Sequence, residues 1–336
     1  MKTAVVILNW NTRDYLSRFL PGVLEFSPGA GVVVADSGST DGSLQLLRSD
    51  FPQVKVIPLG ANYGFTGGYD RALKGLEADY YLLLNSDVEV CKGWLEPLES
   101  WMDAHPECAV CGPKLLKYDR RDEFEYAGAA GGWVDRYGFP FCRGRVLSRT
   151  ETDRGQYDAP ADVLWVSGAA MMIRRSVWDE LGGLDDRFFA HMEEIDFCWR
   201  AFRRGYSVSV VPASRVYHLG GGTLPRQSAF KLELNYRNNL LLLHANLPLR
   251  GIIAARYLLD IAAAVVYFIT LRPALAAAVF RAHRQYRRMK GEAAPKDAPV
   301  PSGYRRGIMI VPLALLKGRK VFEYLKRYED SHRRSR

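Results

Sequence analysis

The chain has 336 residues, 48% apolar and 12% aromatic, enough for one large domain or two moderate ones and too apolar for a disordered polymer. Its net charge of +9 is unevenly placed: residues 250–336 hold 19 Lys and Arg against 6 Asp and Glu, and residues 1–249 hold 27 against 31. The acidic balance of the longer part argues against a nucleic-acid groove, and the basic last quarter suits an anionic membrane surface.

The elements alternate from the start. "TAVVILNW" is a continuous apolar run, as expected of a strand covered on both faces. "TRDYLSRFLPGVLEF" reads as a helix capped by Thr12, with Pro21 a boundary or kink. Strand signals recur in "AGVVVADSGS", "VKVIPLG", "DYYLLLNSDVEV" and "CAVCGPKLL", with helices "TDGSLQLLRSDF", "GFTGGYDRALKGLEA" and "GWLEPLESWMDAHP" between them. This order predicts a doubly wound, mostly parallel α/β sheet with helices on both faces. Such sheets bind ligands at the carboxyl ends of their strands. The polar clusters Asn9–Asn11, Asp36–Asp41, Asn62–Asp70 and Asn85–Glu89 all fall there.

Residues 117–160 read as loops with short strands, followed by a strand and helix in "DVLWVSGAAMMIRRSVWDELGG" and a strand ending at His218. Beyond about residue 230 the pattern is helical. Its cleanest charge-free run, Ile261–Leu271, is shorter than the roughly 20 residues that span a bilayer, and Asp260, Arg272 and Pro273 interrupt any longer one. Helices lying in a membrane interface fit better. A Pro-rich linker, "GEAAPKDAPVPSG", and a last short helix, "IMIVPLALLKGRKVFEYLKRY", complete the chain. Five scattered Cys argue against a disulfide framework and for a reducing cytoplasm, with Cys108 and Cys111 as core thiols. "MKTAVVILNWN" lacks a signal-peptide pattern.

Three stretches carry chemistry. Asp36, at a strand end, can accept hydrogen bonds from a ribose or base, and Asp41 with Gly42 forms a turn before a helix. Gly64, Gly67 and Gly68 allow a backbone to approach a ligand at a helix start, in a spacing that is neither a P-loop nor a dinucleotide fingerprint. Asp87 and Glu89, two residues apart past a buried strand, can face one divalent cation and a diphosphate.

Together "VILNWN", "VVVADSGSTDGS", "NYGFTGGYDRAL", "LLLNSDVEV", "SGAAMMIRR", "GGLDDRFFAHMEEIDFCWR" and "VYHLGG" closely resemble the family 2 glycosyltransferases, which have the GT-A fold, over about the first 220 residues. Within the family the chain looks most like the bacterial rhamnosyltransferase-like branch, which builds cell-surface polysaccharides. The resemblance implies a donor site from Asn9, Asn11, Asp36, Asp41, Asn62, Gly64, Gly67, Gly68, Asn85 and Ser86. It implies Mg²⁺ or Mn²⁺ on Asp87, completed by His218 or Glu89. Asp70 departs from the Asn of many relatives.

The acidic motif "MEEIDFCWR" then supplies a base for an inverting transfer: Glu194 by position, Glu193 as second choice. Asp196 sits in the first helical turn, four residues before Arg200, with which it can pair, and an Arg of that stripe could reach the diphosphate. The expected organisation is a GT-A domain over 1–225, split into a nucleotide-sugar half (1–116) and an acceptor half (117–225), then a basic helical region over 226–336. The expected activity is metal-dependent, inverting transfer from a nucleotide-diphospho-sugar, dTDP-rhamnose favoured, to a lipid-linked saccharide. The expected location is the inner face of the cell membrane, peripherally bound, with a homo-oligomer compatible. The competing readings are a non-catalytic membrane-associated sugar-binding or scaffold protein and a nucleotidyltransferase. The latter calls for a basic Gly-rich loop after the first strand, and "LNWNTRDYL" has none.

Overall fold

The computed structural model describes residues 1–220, 228–247, 249–305 and 307–333. The remainder of the expected glycine run after His218, from Gly221, lies outside the described residues, as do the last three residues.

The alternating half folds as its pattern dictates. Strand β1 (Thr3–Asn9) leads to α1 (Arg13–Phe26), β2 (Gly31–Asp36), α2 (Ser43–Asp50), β3 (Lys55–Pro58), α3 (Gly64–Leu73) and β4 (Tyr80–Asn85). Then follow β5 (Val88–Val90), α4 (Glu96–Ala104) and β6 (Cys108–Lys117). Along β1, Ala4 and Val6 enter one apolar cluster and Val5 and Ile7 the other, so the two-residue period of a strand fills cores on both faces of the sheet. α1 runs through Pro21 without ending. Thr12 does not cap it with its side chain: its hydroxyl donates to Asn9 Oδ1, and Asp41, from the next loop, accepts from Arg13 N at 2.8 Å instead.

Short strands β7 (Gly132–Asp135), β8 (Pro140–Cys142), β9 (Arg145–Val146) and β10 (Arg149–Thr150) form a second sheet. The chain returns through β11 (Ala161–Asp162), β12 (Ala170–Arg174), α5 (Arg175–Leu181), α6 (Glu193–Arg203) and β13 (Ser207–His218). The main sheet has the order β11-β13-β6-β12-β4-β1-β2-β3, with β5 on β13. It is parallel from β4 through β1 and β2 to β3; β12 inserts antiparallel between β4 and β6. Cys108 and Cys111 are buried free thiols.

The last third is α7 (Ala229–Asn246), α8 (Arg250–Ile269), α9 (Pro273–Met289), β14 (Tyr304–Arg305), α10 (Ile310–Lys317) and α11 (Val321–Arg333). The expected final helix is two, broken at Gly318. The helices from residue 229 onward pack on the part of the chain that precedes them. Leu240–Leu243 of α7 are buried in the same core as Val6, Leu83 and Trp199, and β14 pairs with β7 of the second sheet. α8 is longer than the expected charge-free run, and by length and composition it is sufficient to cross a membrane. Asp260 does not interrupt its outer face, because it points inward to Arg256.

Candidate active site

The carboxyl ends of β1 and β2 are tied into one knot. Asn9 Nδ2 donates to Asp36 Oδ2 at 2.7 Å, and the other Asp36 oxygen accepts from Gly38 N and Ser39 N. Asp36 is therefore buried and shapes the loop. Asn11, in the left-handed region at φ 55°, takes Thr40 N on its Oδ1, and Asp41 takes Ser43 N and Oγ as well as Arg13 N. Asn62 Oδ1 accepts from Gly64 N at 2.8 Å.

The glycines correct the expectation of a ligand cradle. A Cβ on Gly64 would lie 2.5 Å from Phe189, one on Gly67 2.9 Å from Arg71, and one on Gly68 2.7 Å from Leu8. The space each leaves is filled by the protein's own chain, so Gly64, Gly67 and Gly68 let α3 seat against β1 and the 186–192 segment. Arg71 also stacks on the exposed Tyr63 ring.

Past β4, Asn85 N donates to Ala169 O at 2.9 Å, and the turn at Ser86 and Asp87 follows. The Ser86 hydroxyl lies 2.9 Å from that of Thr12. Asp87 Oδ1 is 3.1 Å from His218 Nε2, and both side chains are buried. Behind the ring, Glu125 Oε2 lies 3.5 Å from His218 Nδ1. Burial alone would push the imidazole down, but the carboxylates of Asp87 and Glu125 outweigh it and hold His218 up at about 10.

Glu89 does not join this pair. On the antiparallel β5–β13 ladder Glu89 stands opposite Tyr217 and Val88 opposite His218, so Glu89 and His218 face opposite sides of the sheet. Glu89 is held by Arg121 at 2.8 Å, and Arg121 also covers the Tyr217 ring.

A divalent cation fits the Asp87–His218 pair. One carboxylate and one imidazole lie within hydrogen-bond distance, and Glu125, a second buried carboxylate, orients the ring from behind; a cation bound here would replace the imidazole proton as the positive charge between the two carboxylates. Among the described residues no three His, Cys, Asp or Glu side chains are arranged to hold one metal ion, so phosphate oxygens and water would complete the shell, as is usual for Mg²⁺ and Mn²⁺.

The acidic motif enters on strained backbone. Phe189, His191 and Met192 have φ of 63°, 71° and 73°, each costing on the order of 1–3 kcal/mol unless the surroundings over-determine it. Here they do. Phe189 O accepts from Phe65 N at the start of α3. The fully buried Asn238 of α7 donates to Phe188 O, Ala190 O and His191 O at 2.9, 2.8 and 2.7 Å, and Arg237 adds a bond to Phe188 O at 2.7 Å.

The strain sets Glu193 and Glu194 at the first turn of α6, in surroundings that leave Oε2 of each shielded and without a hydrogen-bond partner. Burial pushes the Glu193 carboxyl well up, and the neighbouring Glu194 adds to it. Burial also raises Glu194, to about 7, with the amides of Glu194, Met192 and Ile195 and the Arg145 guanidinium pulling the other way.

Asp196 and Arg200 form the expected pair, at 2.7 Å, but neither is left for substrate. Asn246 holds the second Asp196 oxygen at 2.7 Å, and Arg200 donates one N–H of each terminal nitrogen to Leu181 O and Gly183 O. Arg200 therefore fastens the 181–183 turn rather than a diphosphate. Asp70 accepts Leu184 N at 3.0 Å in the adjoining segment, and burial raises its carboxyl to about 6.

The two halves are linked through adjacent residues. Glu194 lies beside Gly168, Gly168 precedes Ala169, and Ala169 holds Asn85, two residues before Asp87. On the other side His218 faces Glu125, and Arg145, whose charge acts on Glu194, donates to Tyr126 O at 2.8 Å. Glu125, Arg145 and the Arg237–Asn238 clamp escaped the sequence reading. The first two lie in a stretch without periodicity, and the clamp lies in a segment read only as a helix.

Comparison with known proteins agrees with this architecture. The profile described as Glycosyl transferase family 2 matches residues 4–182. The chain is 27% identical over 256 residues to an N-acetylglucosaminyl-diphospho-decaprenol L-rhamnosyltransferase of Mycobacterium tuberculosis, covering 71% of this chain and 83% of that protein. It is 23% identical over 229 residues to the dTDP-rhamnosyl transferase RfbF of Shigella flexneri, covering 64% and 71%. Among solved structures, GalNAc-T7 with UDP, GalNAc and Mn²⁺ superposes with a TM-score of 0.56 at 18% identity, over 72% of this chain and 47% of that one, about half its length. The mannosyltransferase PcManGT of Pyrobaculum calidifontis, with GDP-Man and Mn²⁺, gives 0.51 at 13% identity over 85% and 86%. At these identities the structures speak to the fold, which is GT-A. The chain belongs to glycosyltransferase family 2 and is a rhamnosyltransferase-like sugar transferase.

Proposed function

We propose that this enzyme transfers rhamnose from dTDP-rhamnose, with inversion, to a lipid-linked saccharide at the cytoplasmic face of the membrane, in cell-surface polysaccharide synthesis. The observation that carries this reading is the buried Asp87–His218 pair just past β4, linked through Asn85, Ala169 and Gly168 to the shielded Glu194 carboxyl. The choice of donor and acceptor is supported by relatives named for dTDP-rhamnose and for a decaprenol-linked substrate.

The loops tied by Asn9, Asn11, Asp36 and Asp41, with Asn62, Asn85 and Ser86, would receive the nucleotide. Asp87 and His218 would hold Mg²⁺ or Mn²⁺, which when bound supplies positive charge across the diphosphate. Glu194, poised near neutrality, accepts the acceptor hydroxyl's proton as that oxygen attacks the anomeric carbon. The bond from that carbon to the diphosphate breaks, the nucleoside diphosphate leaves with the electron pair, and the proton remains on Glu194. Burial and the neighbouring Glu194 both favour the neutral form of Glu193, which leaves the proton-accepting role to Glu194.

The test is a panel of nucleotide sugars scored by protection against thermal unfolding, with and without Mn²⁺, followed by transfer to a polyprenyl-diphospho-saccharide. Protection by dTDP-rhamnose that requires Mn²⁺, and product of inverted anomeric configuration, is the expected result. Protection by another nucleotide sugar alone would overturn the donor assignment.

A further inference from the structure

Helix α8 is built inside out. Its two charged side chains with described surroundings, Arg256 and Asp260, are buried and joined at 2.6 Å, with His283 of α9 at 3.2 Å from the second carboxylate oxygen. Arg256 also stacks on Phe139, at 4.0 Å, and donates to Tyr137 O. The outward residues are Leu258, Leu259, Ile261, Val265, Val266, Phe268 and Ile269, and the α8–α9 turn adds Leu271, which is 89% exposed. A helix on the surface of a soluble domain has the opposite arrangement, and a continuous apolar strip about 20 Å long is more than a lone monomer leaves in water.

The surrounding charge says what covers the strip. Between residues 251 and 290 the one acid is the buried Asp260, while Arg272, Arg284, Arg287, Arg288 and Lys290 are all exposed. A second copy on this face would set like charges against each other. An anionic bilayer satisfies both features at once, with acyl chains against the strip and lipid phosphates against the guanidinium groups. A transmembrane course for α8 would expose the Arg256–Asp260–His283 cluster to hydrocarbon, so the helix lies along the surface.

We propose that the outer face of α8 and the α8–α9 turn dock into the acyl layer of an anionic membrane, with the α9 arginines at the headgroups. This deepens the reading of a lipid-linked acceptor and rests on it, since it places the catalytic domain where such an acceptor is anchored.

The test is co-sedimentation of the full chain with phosphatidylglycerol–phosphatidylcholine vesicles and with phosphatidylcholine vesicles, alongside sedimentation velocity without lipid. The vesicles carry neither donor nor acceptor, so failure to bind them leaves the transferase reading standing. The wild type should favour the anionic vesicles. F268D/I269D, at exposed positions, should keep its melting temperature and lose about tenfold or more in partitioning, and R284E/R288E should lose the preference for anionic lipid. Wild-type protein that stays in the supernatant with anionic vesicles would overturn the proposal. So would a wild-type dimer that F268D/I269D converts to a monomer, because a second copy would then be the occupant.

Discussion

Replacing Glu194 by Gln separates what the carboxylate does for chemistry from what it does to stability. Burial moves this carboxyl from an ordinary 4.5 to about 7. A carboxyl whose native value is raised gives up its proton more readily when the chain unfolds. Stability is therefore lost as pH climbs from about 4.5 through about 7, and the loss is complete above that. The interval corresponds to about 3 kcal/mol, a ceiling because Glu193 shares the burial and part of the titration. Gln keeps the shape and removes the charge. At about pH 8, Glu194→Gln should be more stable than wild type by about 1–3 kcal/mol, and at about pH 4 the two should coincide. Urea midpoints across that range, with unchanged slope, measure it. Sugar transfer should fall by about 10³-fold or more, because no group remains to take the hydroxyl proton. A variant that is less stable, or equally stable at every pH, would show that the carboxylate is not held in a desolvated position. Transfer near the wild-type rate would remove Glu194 as the base.

Asp87→Ala and His218→Ala should each reduce transfer by about 10²-fold or more, as should chelation, with Mn²⁺ restoring only the chelated wild type; an unchanged rate after chelation would count against a metal-held diphosphate. Asn238→Ala leaves Ala190 O and His191 O without this donor and Phe188 O with Arg237 alone, and should lower stability by about 2–4 kcal/mol and kcat more than the donor KM; a folded variant with wild-type kcat would show that the clamp does not position the base. Gly68→Ala should cost about 1–3 kcal/mol by overpacking against Leu8 while leaving the donor KM unchanged, and Leu8→Ala should relieve part of that cost. A raised donor KM in Gly68→Ala would return that glycine to the ligand.

The nucleotide half was readable because strands covered on both faces leave unbroken apolar runs, and because each polar cluster follows such a run. Asp87 and His218 could be suspected of meeting, since each ends a strand, but only the β5–β13 register shows that Glu89 faces away. Gly64, Gly67 and Gly68 were read as ligand space because a missing side chain does not say what fills its place. Arg200 was read as substrate-facing because a helical stripe names neighbours on one helix only, and its partners are Leu181 and Gly183 from another element. The same blindness hid the inward turn of Asp260. Helical spacing alone cannot tell which side of α8 meets the core.

The Asn238 clamp also bears on biosynthesis. The family-matching stretch ends at residue 182, ten residues before the base motif begins, and the groups that hold that motif's backbone arrive another half-hundred residues later. A nascent chain that has already emerged with the whole nucleotide-binding half is thus still catalytically silent. The motif's backbone is fastened only once α7 has left the ribosome and seated itself, so the order of synthesis puts donor binding ahead of transfer.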